Sequence, residues 1–65
     1  MLRTNILHDA NGNVIGFVDT EDNGNKVLRD RNGNILGFYQ TLFDITRDAN
    51  GNTVGFGDIL LTLLR

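Results

Sequence analysis

The amino-acid sequence predicts an all-β fold: an antiparallel meander of about six strands from three hairpin repeats, with a short apolar C-terminal helix or strand. Three observations predict it. One ten-residue pattern occurs three times along the chain. Gly numbers eight, Asn is abundant and Pro is absent, a composition suited to tight turns in which the backbone takes positive φ. Short runs of β-branched and aliphatic residues flank every copy.

The first copy is His8-Asp9-Ala10-Asn11-Gly12-Asn13-Val14-Ile15-Gly16-Phe17. The second runs Arg29-Asp30-Arg31-Asn32-Gly33-Asn34-Ile35-Leu36-Gly37-Phe38, and the third Arg47-Asp48-Ala49-Asn50-Gly51-Asn52-Thr53-Val54-Gly55-Phe56. Asp22-Asn23-Gly24-Asn25 is a partial fourth copy of the turn. The turn residues are Asp9, Asn11 and Gly12, Asp30, Asn32 and Gly33, and Asp48, Asn50 and Gly51. Asp suits the first position of a type I turn and Gly the fourth, where a left-handed residue makes a bulge. A two-residue type I′ turn centred on Asn-Gly is the other reading; the two differ by one residue of register.

In order, the elements are strand 4–9 with Ile6-Leu7, strand 13–19, a turn at 21–25, strand 26–30 and strand 34–40. A connection near Thr41-Leu42 leads to strand 43–48 and strand 52–56. The repeats are thus about 4–19, 26–40 and 43–57 in one domain, followed by an apolar tail at 58–65. Alternation puts Ile15 with Phe17, Leu36 with Phe38 and Val54 with Phe56 on one face, which the pattern assigns to the core. The opposite face, with Val14 and Val18, Ile35 and Tyr39, Thr53 and Gly57, is more mixed. Gly16, Gly37 and Gly55 interrupt strands at equivalent places, which suggests a bend, a bulge or close approach of a neighbouring backbone or aromatic ring; they read as corners that let the six-strand meander curl.

In the tail, Asp58 is suited to cap a helix whose stripe would hold Ile59, Leu60, Leu63 and Leu64. A strand would put apolar groups on both faces. Either way the tail must dock, and Ile59, Leu60, Leu61, Leu63 and Leu64 are the expected self-association residues.

The chain has 65 residues and a net charge of −2. A core of this size rarely supplies more than about 3–5 kcal/mol, and small domains add a disulfide, a metal or a partner copy. Cys is absent and His8 is the single histidine, which leaves a homo-oligomer or a hard carboxylate-bound cation as the expected stabiliser, with another protein as the alternative partner. No Lys/Arg cluster supports nucleic-acid binding, and no apolar run is long enough for a membrane-spanning helix.

Asp9, Asn11 and Asn13 alternate oxygen ligands as in the first half of an EF-hand loop, but Val14, Ile35 and Thr53 fall where that loop needs Gly. Turn chemistry accounts for the same residues, so no metal or cofactor is expected. The chain has no Ser and no Cys nucleophile, and His8 falls where the other copies carry Arg29 and Arg47, a pattern of solvated strand ends. Phe17, Phe38 and Phe56, joined by Tyr39 and Phe43, are the remaining lead for recognition, against a plain stacked core.

Asp-x-Asn-Gly-Asn followed by a short apolar strand resembles the hairpin repeats of choline-binding modules, which hold their ligand in Trp and Tyr cages; here Trp is absent and Tyr39 is alone. The turns also look like those of tyrosine-aspartate repeats in large bacterial surface proteins, without the motif's tyrosine. Over nearly the whole chain, the turns and the Leu-rich end Gly57-Asp58-Ile59-Leu60-Leu61-Thr62-Leu63-Leu64 resemble short hairpin-repeat proteins of bacteria and their phages. That resemblance implies a structural or accessory protein. The sequence therefore predicts a non-enzymatic structural or protein-interaction module that self-assembles through its sheet and tail, with a carbohydrate- or cell-wall-binding module using Tyr39 as the alternative.

Overall fold

Six strands follow one another as a meander in a single antiparallel sheet, each hydrogen-bonded to the next in sequence. They are β1 (Arg3–His8), β2 (Val14–Thr20), β3 (Lys26–Asp30), β4 (Ile35–Gln40), β5 (Ile45–Asp48) and β6 (Thr53–Phe56). Among the described residues one 3₁₀ turn, Leu60–Leu63, follows β6. This computed structural model describes residues 2–64.

The three repeat turns are built alike. Gly12 N–H donates to the Asp9 carbonyl at 3.0 Å, and Asp9 N–H donates to the Asn13 carbonyl at 2.9 Å. The same two bonds recur from Asp30 to Asn34 and from Asp48 to Asn52. Gly12, Gly33 and Gly51 sit at φ 84°, 88° and 88°. Of the two turn geometries open to the sequence, this is the type I turn with a left-handed Gly bulge. The carboxylate completes it: Asp30 Oδ1 accepts from the N–H groups of Asn32 at 2.8 Å and Asn34 at 2.9 Å. In the partial copy, Glu21 takes the Asp place, with Gly24 N–H donating to its carbonyl at 2.9 Å. Thr41 then ties the next turn back, donating through N–H and Oγ1 to Asn25 Oδ1 at 2.9 and 3.0 Å.

A second irregularity recurs in each of the three repeat hairpins. Leu7 pairs with Gly16 but His8 with Val14, so Ile15 is an extra residue. Leu36 and Val54 are extra in the same way, skipped between Gly37 and Ile35 and between Gly55 and Thr53. These are β-bulges, which locally bend and twist a strand.

The covered face differs from the one alternation assigns to the core. The buried side chains are Val18, Leu28, Thr46 and Leu60, with Leu7, Leu36, Tyr39, Leu63 and Leu64 packed around them. Val18 and Leu28 pair across β2 and β3, on the face that carries Gly16 and Gly37. Phe17 and Phe38 point the other way and are half-buried, and Phe56 is 78% exposed. The physical reason is the tail. It folds over the face with the smaller side chains because only that face has room. A Cβ on Gly55 would lie 2.8 Å from Ile59 Cδ1, one on Gly16 would lie 3.0 Å from Leu64 Cδ1, and one on Gly37 would collide with Leu63. The three strand glycines thus form a stepped seat for Ile59, Leu63 and Leu64. The structure shows a bulge beside each, one of the sequence's readings; what approaches from above is the aliphatic tail and not an aromatic ring, while the Arg29 and Arg47 carbonyls lie close to Gly16 and Gly37.

The tail is neither an α-helix nor a strand. Thr62 N–H donates to the Ile59 carbonyl at 3.0 Å and Leu64 N–H to Leu61 at 3.1 Å, an i→i+3 pattern. Thr46, fully buried, anchors its start: Oγ1 donates to the Gly57 carbonyl at 2.7 Å and accepts from Ile59 N–H at 3.2 Å. Asp58 has no α-helix to cap: its Oδ1 accepts from Leu60 N–H at 3.4 Å at the start of the 3₁₀ turn, and its Oδ2 meets Lys26 Nζ at 2.7 Å.

Candidate functional site

The uncovered face of the sheet is the one extended surface where recurrent side chains remain available. The register sets its rows. Ile6, Phe17 and Arg29 align across β1 to β3. Thr4, Asp19, Val27, Phe38 and Arg47 align across β1 to β5. Gln40, Ile45 and Phe56 form a third row. Val27, Phe38, Gln40 and Arg47 line a shallow depression in this face.

Two arginines organise it. Arg29 Nε donates to Asp19 Oδ2 at 3.1 Å and Nη1 to the Gly33 carbonyl at 3.1 Å. Arg47 repeats the arrangement, with Nε to Gln40 Oε1 at 2.8 Å and Nη1 to the Gly51 carbonyl at 3.0 Å. Each guanidinium therefore bridges its own turn and the strand before it, beside the Phe it pairs with. Asp19 also accepts from Thr4 Oγ1 at 2.6 Å. That hydrogen bond first, and Arg29 second, hold its carboxyl below the ordinary value. Sequence reasoning takes Arg29 and Arg47 for solvated strand ends; both are half-buried and bonded, whereas His8 is exposed. The recurrence of Arg-Asp at the second and third repeat turns, with Gly-Phe after every repeat turn, was the signal for this pairing.

The turn residues Asp9, Asn11, Gly12, Asp30, Asn32, Gly33, Asp48, Asn50 and Gly51 come together at one end of the sheet, because the hairpins of a meander alternate ends. The Asp9, Asp30 and Asp48 carboxylates accept from N–H groups of their own turns. Backbone N–H donation, from Asn13 foremost in one and Asn34 in the other, lowers the pKa of Asp9 and Asp30. No group of three or more His, Cys, Asp or Glu fit to hold a metal ion occurs among the described residues. Tyr39 lies on the tail-covered face, and its hydroxyl donates to Asp44 Oδ1 at 2.7 Å. That bond raises the phenol pKa. Phe43 lies in the turn before β5 and is 58% exposed.

The five residues expected to self-associate pack largely within the chain's own fold. Leu60 is 1% exposed, and Ile59, Leu63 and Leu64 are half-buried against the chain's own sheet; only Leu61 is exposed. The tail's apolar surface is used within the chain because the glycine seat accepts it.

Compared with known proteins, the chain matches no family model, no curated protein and no solved structure.

Proposed function

We propose that this chain is a non-enzymatic structural or protein-interaction module that self-assembles through the uncovered face of its sheet. The observation that carries the proposal is the one-sided cover. The tail shields the glycine face, while the opposite face keeps Ile6 54% and Phe56 78% exposed beside half-buried Phe17, Val27, Phe38 and Ile45. The chain exposes 4454 Å², whereas a globular chain of this mass exposes about 4,100 Å².

A second copy is the occupant that fits. The molecule measures 35 × 25 × 18 Å, so its broad face is close in size to the roughly 800 Å² per partner of a standard interface. Asp19 and Arg29 neutralise each other on that face, and aromatic residues with Arg are the side chains enriched in interface centres. The resemblance of the turns and Leu-rich end to short bacterial and phage hairpin-repeat proteins supports an accessory role in such an organism.

Solution mass by light scattering over a concentration series tests this. The expected result is a defined oligomer, insensitive to calcium and to chelator, that Phe38→Asp converts to monomer with its strand circular dichroism retained. A wild-type monomer at every concentration overturns the proposal.

A further inference from the structure

The repeats join one another by a fixed rule. Between the first and second, Gly16 pairs with Asp30 and Phe17 with Arg29. Between the second and third, Gly37 pairs with Asp48 and Phe38 with Arg47. The Gly-Phe step of one hairpin always meets the Arg-Asp step of the next. Two halves of this rule are left over. Among the described residues no strand pairs with the outer edge of β6, where Gly55-Phe56 lies. On β1, His8-Asp9 occupies the place of Arg29-Asp30 and Arg47-Asp48, and among the described residues no strand pairs with its outer edge. The exposures follow: Phe17 and Phe38, each beside its Arg, are half-buried, whereas Phe56 is 78% exposed.

We infer that copies of this chain join edge to edge, β6 of one to β1 of the next, in the register the repeats already use. Gly55 then faces Asp9 of the next copy, and Phe56 faces His8. The pairing is antiparallel, since β6 runs opposite to β1 as each strand does to its neighbour. The tail does not obstruct it, because Ile59 and Leu60–Leu64 lie on the face of the sheet and leave the β6 edge open. The contact is heterologous, so it adds copies without closing on itself as a face-to-face pair does. Gly57, at φ 80° with its N–H on the Asp44 carbonyl, turns the chain away after Phe56. The ladder is therefore short, the contact is weak, and its occupancy rises with protein concentration.

This inference rests on the self-assembly reading and specifies a second contact for it. The absence of native cysteine permits a clean test. His8→Cys and Phe56→Cys are made separately, both at exposed positions, and mixed under oxidised glutathione. Within one chain β1 and β6 are five strand spacings apart, roughly 24 Å, too far for an internal disulfide. The expected product is the mixed His8→Cys–Phe56→Cys dimer, in clear excess over both homodimers, with the double variant giving a ladder of higher oligomers. A control pairing Phe56→Cys with Asn5→Cys, out of register, should cross-link several-fold less. Equal cross-linking in and out of register overturns the inference. Homodimers alone, with an oligomer by light scattering, overturn the edge contact and leave the face contact standing. No cross-link and a monomeric mass overturn both.

Discussion

At the scale of single residues, the repeat glycines act by what they leave out. Gly37 faces the tail, and an added Cβ would lie 2.6 Å from the Arg47 carbonyl oxygen and against Leu63. Backbone cannot yield as a side chain can, so Gly37→Ala is expected to cost about 1–3 kcal/mol, read from urea unfolding. The turn carboxylates give a second expectation. Asp9 and Asp30 have folded pKa values below the ordinary 3.8, chiefly through the backbone N–H groups of Asn13 and Asn34. A lowered folded pKa means that the unfolded chain takes up protons first as the pH falls. The stabilisation is complete above the unfolded value and is lost as the pH drops through the folded one. Urea midpoints should therefore fall below about pH 4, and the combined Asp9→Asn and Asp30→Asn variant, which keeps the Oδ1 acceptor of the backbone N–H groups but not the Oδ2 acceptor, should flatten that limb. An unchanged acid limb would contradict the assignment.

At the scale of elements, the tail is the fold's second layer. Leu60 is 1% exposed and joins Val18 and Leu28 in the core. Leu60→Ala should cost about 2–5 kcal/mol, which in a domain this small approaches the whole stability. Thermal unfolding monitored by circular dichroism should show the variant largely unfolded near room temperature, whereas Leu61→Ala, at an exposed position, should be near neutral. The hairpins themselves were legible in the sequence, since Asp-x-Asn-Gly-Asn dictates its turn through local bonds. The face assignment was not. Alternation read backward from Phe17 to Ile15 crosses a bulge, and both faces carry apolar residues, so periodicity had no means of choosing the covered one.

At the scale of the whole molecule, one sheet with one covered face leaves both its other face and its two edges open. If assembly covers them, unfolding is linked to association, and mass action makes the thermal midpoint rise with protein concentration. A rise of several degrees over a hundredfold concentration range is expected by scanning calorimetry. A midpoint independent of concentration, with reversible unfolding, would mark an isolated monomer and count against assembly.

The sequence by itself determined the strand order, the six-strand meander and where the turns fall, because the turn signals are local and each strand pairs with its neighbour in sequence; which of two geometries the Asp-x-Asn-Gly turns take was decided by the structure. It also marked Gly16, Gly37 and Gly55 as special without saying what approaches them. Only the tertiary structure decided that the approaching group is the chain's own tail, seated from Ile59 to Leu64, and that the phenylalanine face is the uncovered one. The physical reason is separation in sequence. Gly16 meets Leu64 through a contact spanning nearly the whole chain, and no local pattern encodes which surface a distant segment will find.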